Sequence, residues 1–303
     1  MKDYTLHTIR LEDYSKLKYY YELRRNETAD SNLLNLYLWK DYYPTCYFTN
    51  EHGLMWVAKG EDSRYYSSVP CCRDEHLKLC FIETQKYFNE KLHKKLTMYL
   101  VDKKALELLE LDEKDYVIIP DRTYYDYIYD AKKMQTFSGS KYHKKKNHLN
   151  AFKKAYEGRY RFEILTDKEE QEILTFLNQW KDTKINAAEH EFIDGDLEGI
   201  QYILKHYDLL EYKIGGVYID DILEAVTIGN YYEQEDMVYI PVEKANSKYR
   251  GLYQYLCSEF LKTAYPDASK INREDDMGLE GLRHSKQSYH PIYMVEKYTV
   301  IQK

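Results

Sequence analysis

Apolar positions along this chain recur at two different spacings, and the spacing switches from segment to segment. Residues 11–25 place Tyr14, Leu17 and Tyr21 at helical intervals, and residues 32–39 place Leu33, Leu34, Leu36 and Leu38 in a second helical run. Short β-type runs follow at 45–49, at 54–59 after the turn Asn50-Glu51-His52-Gly53, and at 65–69. Residues 74–92 carry Leu77, Phe81, Thr84 and Phe88 on one side, the pattern of an amphipathic helix. A strand at 96–101, a short helix at 103–111 and strands at 116–120 and 124–129 complete the first half.

The second half opens near Met134 with a helix over 140–156. It is expected to show Lys141, Lys144, Lys145 and His148 on one side and Leu149, Phe152 and Tyr156 on the other. A strand at 161–166 and helices at 168–181 and 196–207 come next. The densest apolar signal is a hairpin, 210–219 and 222–232, turning at Asp220-Asp221. A strand at 237–242, a helix at 251–264, a strand at 270–272, a helix at 279–286 and a last strand at 292–301 follow. Both halves have a similar cadence, which predicts two α/β domains, 1–133 and 134–303, with the active site expected in the second.

Composition changes this picture in three places. Few Gly (12) and Pro (6) in 303 residues favour regular structure over linkers. Tyr is abundant (35), which suits either a stacking surface for bases or sugars, or half-buried strands and interfaces. Net charge is −7, yet 132–161 holds ten Lys and Arg against one acid, Glu157. That patch on an otherwise acidic chain marks a candidate phosphate-binding surface, of RNA, coenzyme or lipid headgroups; the alternative is a solvated helix face.

No apolar run approaches the length of a membrane span, and residues 1–20 are too polar for a secretory signal. Five Cys without an even framework suit a reducing compartment, so a cytoplasmic location is expected. Cys71, Cys72, His76 and Cys80 imitate a metal-ligand string, but adjacent Cys chelate poorly and Cys80 sits in an apolar run. They read as buried thiols, and no metal is expected.

Several chemistries have no anchor: there is no G-x-S-x-G, no G-x-x-x-x-G-K and no G-x-G-x-x-G. Two strings remain. Tyr249-Arg250-Gly251-Leu252-Tyr253 lies where a strand hands over to a helix, and a helix N-terminus suits phosphate; the alternative is a plain helix start. The charged run Asn272-Arg273-Glu274-Asp275-Asp276-Met277-Gly278 follows a short strand, at the edge where α/β sheets bind ligands; the alternative is a solvated loop.

These strings, with Glu224-Ala225-Val226-Thr227-Ile228-Gly229, Glu243-Lys244-Ala245-Asn246, the segment 281–291 and the segment 137–150, occur in an order that resembles a known family. It is the group of uncharacterised bacterial proteins related to the C-terminal domain of phosphatidylglycerol lysyltransferases. The resemblance spans nearly the whole chain and implies two tandem acyl-CoA N-acetyltransferase (GNAT)-like domains with mixed, mostly antiparallel sheets, related to the Fem aminoacyl transferases. It implies an acyltransferase whose donor is aminoacyl-tRNA or acyl-CoA, with a small-molecule or lipid acceptor left open. This chain lacks the many transmembrane helices of the full lysyltransferases, so lipid would be met peripherally, at an anionic membrane.

Such chemistry needs positioning, a polarised carbonyl and a base. Glu224 and Glu243 are the candidate bases, and Tyr289 a candidate proton donor to the leaving group. Lys244, Arg273 and Arg283, with Asn272 and the helix start at 249–253, are candidates for holding donor phosphate or carboxylate groups. Lys141, Lys144, Lys145 and His148 are candidates for tRNA phosphates. The alternative from another class is a non-catalytic binding protein of the same fold for coenzyme A, RNA or an anionic lipid surface.

Overall fold

A computed structural model describes residues 4–60, 63–183 and 187–303, with the side chains of 187–192 excepted. The first three residues of the polar N-terminal stretch lie outside that range. The chain divides into two units. The first comprises Met1–Asp126, Asp275–Gly278 and Val295–Lys303; the second comprises Tyr127–Glu274 and Leu279–Met294. The division falls seven residues before the expected 133/134 boundary, and the end of the chain returns to the first unit.

In the first unit, strands β1 (His7–Thr8), β2 (Thr45–Thr49), β3 (Gly53–Lys59), β4 (Tyr65–Tyr66) and β5 (Cys71–Cys72) make one antiparallel sheet. Its helices are α1 (Tyr14–Tyr21), α2 (Leu33–Trp39), α3 (Leu77–Glu90) and α4 (Lys103–Leu109). Asn32 caps α2 by accepting from Leu34 N at 2.9 Å, and Asp102 caps α4 by accepting from Ala105 N at 2.9 Å. Strands β6 (Thr97–Asp102) and β7 (Tyr116–Pro120) flank the last strand of the chain, β15 (Lys297–Gln302), in a second sheet. Cys72 and Cys80 are buried in this unit's core beside Phe48, Phe81 and Phe88.

The second unit carries a seven-stranded sheet. Its strands are β8 (Asp126–Asp130), β9 (Tyr160–Leu165), β10 (Lys213–Ile219), β11 (Ile222–Tyr232), β12 (Met237–Ala245), β13 (Lys270–Asn272) and β14 (Tyr293–Val295), in the order β14-β8-β13-β12-β11-β10-β9. The expected hairpin is β10–β11, with Asp220 and Asp221 both left-handed (φ 52° and 64°), as a tight two-residue turn demands. The single last strand expected over 292–301 is two strands, β14 and β15, which join different sheets. Helices α5 (Ala131–Thr136), α6 (His143–Ala155), α7 (Glu170–Asp182), α8 (Ala187–Lys205), α9 (Leu252–Ala264) and α10 (Glu280–Gln287) complete the unit. Sequence periodicity missed α5, a short helix capped by Asp130, which accepts from Lys133 N at 2.9 Å.

Tyrosine is largely a packing residue in both units. Tyr37 and Tyr47 in the first and Tyr127 and Tyr129 in the second are among the largest fully buried side chains. Around Phe152, the rings of Tyr156, Tyr160 and Tyr255 lie 5.0–5.2 Å away, at distances where aromatic pairs attract.

Candidate active site of the second unit

Strand pairing decides where this unit can hold a ligand. Every pairing of β12 and β13 with a neighbour is antiparallel except their own, which is parallel and covers only three residue pairs, from Met237–Lys270 to Tyr239–Asn272. Beyond Tyr239, β12 continues to Ala245 paired to β11 alone. No ladder joins the two strands beyond that point, and the region at the carboxyl end of β13, beside the buried Gln254 and Cys257 of α9, is the candidate ligand cleft.

One ion pair spans this cleft. Arg273, the residue after β13, donates from Nη2 to Glu243 Oε1 of β12 at 2.6 Å, with side chains 13% and 9% exposed. The other atom of each group, Arg273 Nη1 and Glu243 Oε2, is buried without a hydrogen-bond partner. Such unfilled groups are costly in a folded core. Glu274, next in sequence, is held in left-handed backbone (φ 59°), with its N–H bonded to Asn272 Oδ1 at 2.7 Å. Strain of this kind concentrates at functional positions.

The pair lies against Tyr289. The Arg273 guanidinium sits 4.7 Å from that ring's centre, and Lys145 Nζ of α6 sits 3.6 Å from it. Tyr289 is buried and its hydroxyl accepts from Gln254 Nε2. Burial raises the Tyr289 phenol strongly, with Arg273 opposing and Glu243 adding to the rise. Burial, then repulsion from Arg273, brings the Lys145 ammonium down to about 8, Glu243 acting against both. Burial likewise pushes the Cys257 thiol up to about 12, so it is no nucleophile at neutral pH. Lys286 Nζ donates to the Arg273 carbonyl, and Tyr129 donates to that of Lys286 at 2.9 Å, which fixes the turn after β13. Arg283 is half-buried on the same helix as Lys286, α10.

The remaining candidates fall into separate groups. Glu224 accepts from Asn246 Nδ2 at 2.8 Å, Lys248 Nζ at 3.2 Å and Tyr249 Oη at 3.0 Å. Its carboxylate braces the loop that leads from β12 into α9, a task that occupies both oxygens. Lys244 alternates with Glu243 along β12 and so faces the other side of the sheet. There it pairs with Asp196 at 2.8 Å and lies 4.7 Å from the centre of the Trp180 ring system. Burial depresses it, but Asp196 outweighs that and holds it above the usual lysine range.

Gly251 opens α9 in left-handed backbone (φ 92°), and a Cβ there would lie 2.2 Å from the His148 carbonyl oxygen. Its immediate requirement is thus close approach of α9 to α6. Arg250 reaches His148 at 3.4 Å, while Leu252 is buried and Tyr253 half-buried behind it. His148 is lowered by burial first, then by Arg250 and Lys145.

Helix α6 therefore does not present four cations on one stripe. Lys141 and Lys144 are exposed, but Lys145 is half-buried and turned inward. The signal was available: Lys145 precedes Leu149 by four residues and Phe152 by seven, which puts it on the apolar face. His290, next to Tyr289, bonds the Lys141 carbonyl at 2.9 Å, so the exposed start of the basic helix adjoins the cleft.

Residues 21–301 match the family model described as phosphatidylglycerol lysyltransferase, C-terminal. The chain belongs to that family. A solved protein of unknown function from Bacteroides thetaiotaomicron has a TM-score of 0.89 at 25% identity, covering 99% of this chain and 100% of its own. L-PGS from Bacillus licheniformis has a TM-score of 0.69 at 16% identity, covering 95% and 91%. An uncharacterised protein of Mycoplasmoides gallisepticum is 28% identical over 224 residues, 73% of this chain and 70% of its own. FemX (TM-score 0.61, 10% identity, 97% and 96% covered) and a tandem GNAT protein of the clavulanic acid pathway (0.52, 8%, 99% and 98%) share the fold. The tandem GNAT-like architecture expected from sequence therefore holds. Among the described residues, no helix is long and apolar enough to cross a membrane, and no group of three or more His, Cys, Asp or Glu is arranged to hold a metal.

Proposed function

We propose that this chain is an acyltransferase that takes an aminoacyl group from aminoacyl-tRNA and passes it to an acceptor bound in the second unit. The observation that carries this reading is the cleft between β12 and β13, spanned by a buried ion pair with one unfilled atom on each partner. Strand β12 beyond Tyr239 offers the cleft a backbone edge without a β13 partner, against which an extended donor can lie and where an N–H can polarise its carbonyl. Glu243 is the proposed proton acceptor from the attacking group, and Tyr289, kept protonated by burial, the proposed donor to the leaving oxygen. The exposed Lys141 and Lys144, beside the cleft through His290, favour tRNA over a coenzyme. Family membership and the name of L-PGS agree with a transferase acting on lipid or a related acceptor.

Titration of the purified protein with bulk bacterial tRNA and with acetyl-coenzyme A, at two salt concentrations, tests the donor. Salt-dependent tRNA binding that weakens when Lys141 and Lys144 become Glu is expected. Tight, salt-insensitive coenzyme binding would replace aminoacyl-tRNA with acyl-CoA as the donor. Salt-sensitive binding to anionic vesicles without tRNA binding would select a peripheral membrane protein instead.

A further inference from the structure

Charge around the cleft does not balance. Arg273 and Glu243 cancel one another, and Lys145 adds a cation over the same Tyr289 ring. Glu243 is the carboxylate that acts on Lys145, while others of the unit have cations of their own: Glu224 with Lys248, Asp196 with Lys244 on the opposite side of the sheet, and Glu259 with Lys153 and Lys262. Behind Lys145, His148 is approached by another cation, Arg250. Among the described residues, Lys145 has no ion-pair partner of its own. A half-buried cation beside a second cation is unfavourable unless a ligand supplies the missing negative charge. Two unfilled groups accompany it, the Arg273 Nη1 donor and the Glu243 Oε2 acceptor.

We propose that the cleft is an anion subsite, in which Lys145 and Arg273 receive a carboxylate or phosphate carried by the substrate and Glu243 receives an N–H or O–H beside it. This rests on the transferase reading for the identity of the site and goes beyond it by fixing the charge of what enters. A lysyl group would bring a further cation to a place already one cation in excess. The subsite therefore discriminates against the aminoacyl group for which the family is named, and in favour of a neutral or acidic group or an anionic acceptor.

An NMR titration of the isotope-labelled full chain near neutral pH, with inorganic phosphate, acetate and lysinamide as separate probes, reads this directly. Saturable shifts at Lys145, Arg273 and Tyr289 are expected with phosphate or acetate. Lysinamide should bind at least tenfold more weakly. Lys145→Met should weaken the anion site at least tenfold, Lys145→Arg should retain it, and Lys205→Met, an exposed lysine of α8, should leave it unchanged. Response to phosphate alone assigns a phosphate-bearing substrate, and response to acetate alone a carboxylate. Lack of saturation by either anion, equal losses in the Lys205 and Lys145 variants, or lysinamide binding as tightly as the anions each overturns the subsite. If Lys145→Met does not fold, the wild-type titration with the three probes still decides. Aminoacyl transfer by a protein that fails the anion titration would remove the subsite and leave the transferase standing.

Discussion

In the first unit Lys297 is fully buried against Asp126, also fully buried, at 2.8 Å, and against Asp30. The other oxygen of Asp126 accepts from Ala29 N at 2.7 Å. Nearby, Asp102 takes Arg24 at 2.9 Å and 3.4 Å, Ala105 N at 2.9 Å and Asn26 at 3.3 Å. In the second unit the Glu243–Arg273 pair is also buried, yet it leaves one donor and one acceptor unfilled and a lysine beside it without a carboxylate. Both units bury charge, which is unfavourable by itself. Asp126 and Asp102 use their hydrogen-bonding capacity inside the protein, as a structural role requires. The Glu243–Arg273 pair keeps capacity in reserve, as the proposed binding role requires.

Three measurements sharpen or break that contrast. The largest effect is expected for Lys297→Met, which strands Asp126 and Asp30 without their cation. Urea unfolding should show a loss of about 3–5 kcal/mol; a loss below about 1 kcal/mol would mean that this cluster is not structural. The double change Glu243→Gln with Arg273→Met removes both charges together, so its unfolding free energy should stay within about 1 kcal/mol of wild type or rise. Aminoacyl transfer should fall about a hundredfold or more in the same protein. A large stability loss with transfer intact would reverse the roles assigned to the two units.

The smallest effect concerns pH. Lys145 titrates near 8 when folded, below its ordinary value, because burial and Arg273 disfavour its charge despite Glu243. Between about 8 and the ordinary lysine value the unfolded chain binds more protons than the folded one, so stability contributed by this group rises with pH in that window. The rise should be absent in Lys145→Met when melting is compared across those pH values. His148, Tyr289 and Tyr129 also face this region, so the difference between the two proteins, rather than either curve alone, carries the result.

Much of this was legible from local pattern. The hairpin turning at Asp220-Asp221 could be read directly, because a run of buried β-type residues on each side of two residues that tolerate left-handed backbone has few other solutions. Helix α6 was legible as an element but not as a surface: Lys145 was grouped by charge with Lys141 and Lys144, although its spacing to Leu149 and Phe152 turns it inward. Glu224 and Glu243 look alike as acids on neighbouring strands, and only their partners separate a loop brace from a cleft residue. Gln254, Cys257 and Tyr129 carried no signal at all, since each reaches the site from an element distant in sequence.

By itself, then, the sequence determined the alternation of helices and strands, the family and its tandem fold, and the basic segment that stands out from an acidic chain, because these depend on residues within a few turns of one another or on ordered strings. Tertiary structure alone decided that 292–301 splits between two sheets, that Lys244 faces away from Glu243's cleft partners, and that Arg273 meets Glu243 across strands whose shared ladder ends after three residue pairs. The reason is physical: strand register and side-chain face are set by which neighbour a strand finds, and a buried charge takes its meaning from the partners it is given or denied.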